Sequence, residues 1–376
     1  MNQQLKNYIK DTSYYLTNHF PFVFCFAVCL GLDLIIAFSF CLISVLFISE
    51  INNKKMMPLV ISFLIIGLNP DYALSSSVTC GLLLIASSFF ADKIKNLFAS
   101  PSLSGVMLAG ALTVTVLFTT DYFGIGATGN NVAEMIKSYV SLGFHPNWRG
   151  VLYGTIVLVI MITFPRKFKN FSKYVSAPFI ALVFTLILNL FLNPSDMISA
   201  INEIPSSDHS IIKDYFTSRL NFIFDFKTLL IGFALFITFF YSLSSDNKAK
   251  KTDYVSCGII NVIFSGLYGI PIPHGTEKKI INPIPKISAI IILFISYLLL
   301  DDLLLRIPLH SCAVVIIVTA WNNVKWGEIK KQFSGIIPFI CFFVSAVVTL
   351  ASNLVFGIVI SFAISALYSK LKIVNK

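Results

Sequence analysis

The chain has 376 residues, of which 56% are hydrophobic and only 12% charged, and its mean hydropathy is +0.82. Soluble globular domains run to about a quarter charged and could not hide this much apolar surface, so the solvent for most of the chain is lipid. The net charge of +10 does not point to nucleic acid, because the lysines stand in short clusters between apolar runs, as cytoplasmic loops do.

In chain order, the first twenty residues are polar, with no small-residue cleavage site before the apolar run, so no cleaved signal peptide is expected. The block Pro21 to Ser49 is too long for one untilted span and too short for two. It holds Asp33 near its middle, and either a long tilted helix or a helix followed by a half-helix fits. Met57 to Leu68 is short for a span. Further apolar segments are Ala73 to Ala91, Ser102 to Thr119, Gly150 to Phe164 and Val175 to Phe191. After the acidic stretch Asn193 to Phe226 come Thr228 to Ser245, Val255 to Ile270, Ile284 to Leu300, Ser311 to Trp321, Gly335 to Ala351 and Leu354 to Tyr368. Short or interrupted segments are what transporters with discontinuous helices contain. NVAEMIKSYVSLGF from Asn131 and WGEIKKQF from Trp326 mix apolar and charged residues at helical spacing beside tryptophans, which suits the membrane interface.

If Lys93/Lys95, Arg166 to Lys173, Lys248 to Lys251, Lys325 to Lys331 and Lys370 to Lys376 all face the cytoplasm, the intervening spans alternate without conflict. Asp121, Asn193 to Phe226 and Asp301/Asp302 then lie outside. The expected location is the cell's inner membrane, with a cytoplasmic C-terminus. The seven cysteines fall mostly in apolar runs without metal-ligand spacing and read as buried thiols. No nucleophile, base and orienting group come together at recognisable spacing, and no phosphate-binding glycine loop is present, so neither an enzyme nor a cofactor is expected.

Five segments, in order, resemble the SulP (sulphate permease) family: SPSLSGVMLAGALTV from Ser100, INEIPSS from Ile201, DYVSCGIINVIFSGLYGIP from Asp253, IPLHSCAVVIIVTAWNNVKWGEIKKQF from Ile307, and NLVFGIVISFAISAL from Asn353. The resemblance covers roughly Ser100 to Leu371 and concerns the membrane domain; no cytoplasmic STAS domain follows Lys376 in this sequence. It implies an all-α fold of two inverted repeats, divided into core and gate, with about 12 to 14 membrane segments, some short or discontinuous. The whole chain is expected to be one transmembrane domain, with a shortened first repeat near 21–193, an external loop 194–226 and a second repeat near 227–371. The implied activity is secondary transport of a small anion (sulphate, bicarbonate or a carboxylate), coupled to a proton or sodium ion; a SulP-derived scaffold that no longer transports is the alternative. A homodimer within the lipid bilayer is compatible with either.

The resemblance also implies an anion held near the midplane between two half-helix N-termini, where free N–H groups and the helix dipole supply positive potential. ALSSSVTCG from Ala73 is similar in composition to the first of these, making Ser75 and Ser76 candidates, although small hydroxyl residues also pack ordinary membrane helices. His274, Gly275 and Thr276 occupy the second start, although a lone histidine before glycine is more often a loop residue. The family's helix matching Thr228 to Ser245 ends in a serine-rich pattern containing an acid. Ser242 and Ser245 match its serines, and Tyr241 falls where the acid would be. Asp246 follows five residues on, displaced by about 140° around a helix, and with Asp33 it is a candidate for the coupling ion. The polar stretch can equally be a helix end meeting water.

Overall fold

The computed structural model describes residues 3–30, 53–98, 100–129, 131–172, 174–192, 222–244, 249–268, 283–304 and 306–374. Among them every regular element is helical: α1 (Gln3–Cys29), α2 (Asn53–Gly67), α3 (Ala73–Ser88), α4 (Ala91–Phe98), α5 (Pro101–Phe123), α6 (Val132–Leu142), α7 (Trp148–Lys167) and α8 (Ala177–Leu192), then α9 (Phe226–Ser244), α10 (Lys251–Tyr268), α11 (Pro283–Leu304), α12 (Leu309–Asn322), α13 (Trp326–Gln332), α14 (Ile336–Ala351) and α15 (Leu354–Val374). The protein is an integral membrane protein. The helices α5, α7 and α9 are each long and apolar enough to cross a bilayer, while α8, α12 and α14 are shorter apolar rods. Ile336, Ile340, Phe343 and Val347 form an exposed apolar stripe along α14, a surface that lipid covers without cost.

Local sequence sets several helix ends. The Ser100 side chain accepts the Ser102 N–H and Pro101 occupies the first turn of α5, a donor-free start that suits proline. The same helix stops at Gly124, whose φ of 65° is left-handed and open to glycine at little steric cost. Asn131 caps α6, accepting from Glu134 N at 2.9 Å while its amide donates to the Glu134 carboxylate at 2.7 Å. Between α2 and α3 the chain bends by 108° at Asn69 and Pro70, where proline's lack of an N–H interrupts the helical ladder.

The packing has an internal repetition. Helix α5 lies against α14 as α12 lies against α7; α9 meets α15 as α1 meets α8; α14 meets α15 as α7 meets α8; and α3 meets α9 as α11 meets α1. Under the substitution of α1, α3, α5, α7 and α8 by α9, α11, α12, α14 and α15, the contacts in these four pairs map onto one another. The short helices α6 and α13 occupy matching places, after α5 and α12. One body is built on α3, α9 and α10, the other on α5, α7, α12 and α14.

The polar start of the chain differs from expectation: α1 begins at Gln3 rather than at the apolar block. Thr17 explains part of this, since its hydroxyl accepts from Ser176 N at 3.2 Å and donates to Ser13 O at 2.8 Å, and the Ser176 hydroxyl donates back to Thr17 O. Helix α1 ends at Cys29, which divides the block Pro21 to Ser49; Asp33 and the rest of it lie outside the described residues.

At the start of α9, the Asp225 carboxylate accepts the Thr228 N–H at 2.7 Å, and this bond, ahead of weaker contributions, holds its carboxyl below the usual carboxylate range. A depressed folded-state pKa means that the cap's contribution is present above the unfolded pKa and is lost as pH falls through the folded one. Thermal melting of Asp225→Ala is therefore expected to lie below wild type at neutral pH, the two curves converging on acidification. Equal melting at neutral pH would show that the cap contributes nothing.

Candidate functional site

The two ends of α9 hold different candidates. At the start, Ser75 on α3 is fully buried and its hydroxyl accepts from Ile223 N at 2.8 Å. Nearby, the Lys227 ammonium lies 4.4 Å from the Tyr72 ring centroid. The Ser76 hydroxyl donates within its own first turn, to Tyr72 O. Ser242 is buried in the last turn of α9. Sixteen residues of helix from Phe226 separate the ends, about 24 Å at 1.5 Å per residue, so a single small anion cannot touch both Ser75 and Ser242. Ser245, Asp246, His274, Gly275 and Thr276 lie outside the described residues.

At the Tyr241 end, side chains from both bodies converge. Tyr241 is 5% exposed, and its hydroxyl donates to Glu328 Oε2 at 3.0 Å. Glu328 stands in the first turn of α13, and its other oxygen, Oε1, lies 3.4 Å from Lys325 Nζ. The Lys325 ammonium also sits 5.0 Å from the Tyr241 ring centroid, within cation–π reach. The Lys325–Glu328 contact is an ion pair without hydrogen-bond geometry, so the buried Nζ has no hydrogen-bond acceptor among the described residues. Met57, Pro58, Ser104, Met107, Asn323 and Ile329 close the rest of a pocket of about 10 Å³, room for one water. Asn323 is held by its amide, which donates to Thr319 O at 2.7 Å. The Trp321 indole donates to Thr115 Oγ1 at 2.8 Å, and its ring stacks on Trp326 at 5.7 Å, which anchors α13 against α5.

The sequence left Tyr241 in the place of an acid. In the fold a carboxylate from elsewhere, Glu328, comes within a hydrogen bond of it. The only local signal for this is the Lys325/Glu328 spacing of three, which puts the pair on one helical face; the meeting with Tyr241 bridges 87 positions and is written in no motif. Among the described residues no group of three His, Cys, Asp or Glu could hold a metal ion.

The fold has solved counterparts. The transmembrane domain of a cyanobacterium bicarbonate transporter, BicA, superposes with a TM-score of 0.64 at 15% identity, over 97% of this chain and 98% of that one. The fold is that of the SulP-type anion transporters. SLC26A9 gives a TM-score of 0.68 at 12% identity, over 97% of this chain and 65% of that one. The murine Solute Carrier 26 family member A9 anion transporter in the inward-facing state gives 0.63 at 14% identity, over 98% and 68%. The chain thus spans about two thirds of the SLC26A9 chains. No protein-family model and no curated protein sequence matches it. Both bodies contribute to the Tyr241 pocket, Tyr241 from α9 of one and Ser104 and Met107 from α5 of the other.

Proposed function

We propose that the protein is a secondary transporter of a small anion, sulphate, bicarbonate or a carboxylate, working by alternating access and coupled to a proton or sodium ion. The observation that carries this reading is the fold correspondence over nearly the whole chain with the membrane domain of a bicarbonate transporter. The chemistry of the seam agrees with it: a buried ammonium with unspent donors and a phenol face a space between two bodies. In this reading the chain is not an enzyme. Its lysine clusters place the C-terminus in the cytoplasm under the positive-inside rule, the membrane is the cell's inner membrane, and the two repeats run near 21–193 and 227–371. A homodimer is compatible with the lipid-covered stripe on α14.

A non-transporting scaffold is the second reading, favoured by one observation: methionine, proline and isoleucine side chains fill the Tyr241 pocket to about 10 Å³, too little for an oxyanion there. Uptake of labelled sulphate, bicarbonate and dicarboxylates into proteoliposomes, with imposed proton or sodium gradients, decides between them. Saturable uptake of at least one anion is expected. Silence toward all of them under every gradient would leave the scaffold.

A further inference from the structure

The Glu328 carboxylate binds as a ligand binds. One oxygen accepts from the Tyr241 hydroxyl at 3.0 Å, and the other faces the Lys325 ammonium at 3.4 Å. A planar O–C–O group is thereby gripped by one neutral donor and one cation, the arrangement a protein would use to hold a free carboxylate or bicarbonate. Three features separate it from an ordinary surface ion pair. Tyr241 belongs to α9 of one body, whereas Lys325 and Glu328 stand at the start of α13, which packs on α5 and α14 of the other, so the grip crosses the seam between them, which we read as that of core and gate. The ammonium retains donors with no acceptor among the described residues. The Glu328 side chain is 42% exposed, against 20% for Lys325, so the carboxylate can swing out into water while the cation stays in place.

We propose that Lys325, Tyr241 and Ser104 form an anion subsite at the core–gate seam, selective for a planar monoanion such as bicarbonate or a small carboxylate, with Glu328 as its tethered occupant. An entering anion displaces the side chain, which costs no net charge: one carboxylate leaves the ammonium as another arrives. Ser104 lines the pocket beside Tyr241 and offers a hydroxyl to the third oxygen of bicarbonate. The Glu328 side chain withdraws from the pocket on exchange, which supplies the volume that the resting pocket lacks. The assignment rests on the anion-transport reading for the identity of its ligand, but binding can be read without transport.

The test is a titration of the full-length protein in nanodiscs with bicarbonate, acetate and sulphate, following Trp321/Trp326 fluorescence and thermal melting. E328Q leaves the site without its competing charge and is expected to bind bicarbonate and acetate about tenfold more tightly than wild type, the scale of one hydrogen bond to a charged group. Adding K325M to E328Q should remove that gain, and Y241F should weaken acetate binding by a similar factor. Sulphate, tetrahedral and doubly charged, should gain less; an equal gain would overturn the planar-monoanion assignment. If E328Q does not fold, E328D withdraws the charge from Tyr241 by one methylene and should show a smaller gain of the same sign. Unchanged affinity in E328Q or E328D, or an affinity in E328Q indifferent to K325M, overturns the subsite. Silent uptake with these binding shifts intact would sink the transport reading alone, whereas active uptake without them would sink only the subsite.

Discussion

Gly258→Val is expected to lower the melting temperature markedly, and Gly258→Ala to lower it less but in the same direction. The reason is the closeness of two backbones. A Cβ at Gly258 would stand 2.6 Å from Gly81 O and 2.6 Å from Ile85 Cγ1, and a Cβ at Gly81 would stand 2.6 Å from Gly258 O. Carbonyl oxygens in a helix cannot rotate away as a flexible side chain can, so the helices must separate. Overpacking of this kind costs roughly 1 to 3 kcal/mol. Alanine offsets part of it, since it is a better helix former than glycine by about 1 kcal/mol; valine has less of that compensation and two more carbons to place. Because α3 and α10 form one of the most extensive helix contacts in the molecule, and lipid supplies no hydrophobic push to hold them together, the loss falls on packing alone. Thermal melting in detergent, read by intrinsic fluorescence, checks the order valine, alanine, wild type. The double change Gly81→Ala with Gly258→Ala should cost less than the sum of the singles, because one separation relieves both clashes. Melting unchanged in Gly258→Val would mean that the helices do not approach as closely as described.

How much of this was legible in the sequence depends on the reach of each determinant. The start of α5 was legible because Ser100 and Pro101 act on their own next turn, and the amphipathic character of α6 and α13 because charges and apolar residues alternate at helical spacing. The helical start of α1 was not legible. Gln3 to His19 is polar by any local measure, and what fixes it includes Thr17 meeting Ser176, 159 residues away, and Tyr8 hydrogen-bonded to Ser288, 280 residues away. The same limit hid the carboxylate at Tyr241. The tyrosine in place of an acid was visible at position 241, but the carboxylate that meets it comes from α13, and the turn after α12 carries Glu328 to it. Ser75 shows the converse. Its hydroxyl accepts from the backbone N–H of Ile223 just ahead of α9, a partner that no pattern within Ala73 to Gly81 could reveal.

Alanine at Ser242 or Ser245 is expected to weaken anion affinity by roughly 1.5 to 3 kcal/mol, the worth of one hydrogen bond to a charged group, with the larger effect at the residue nearer the anion. The argument starts from what the end of α9 can offer. Tyr241 puts a neutral phenol where the resembled pattern has an acid, so an anion there meets no fixed negative charge from α9 itself. Hydroxyls donate to an anion without the desolvation cost of burying another lysine. The Ser244 hydroxyl donates to Tyr241 O at 3.1 Å; the serines that match the resembled pattern are Ser242, buried in the same turn, and Ser245, which lies outside the described residues. Reduced affinity should appear as a raised KM for uptake and a rightward shift in binding titrations, at an unchanged melting temperature. A structural role would instead lower melting and leave KM alone. If neither variant moves KM, the serines are a helix end meeting water, and the anion is held without them by backbone N–H groups and the Lys325 ammonium.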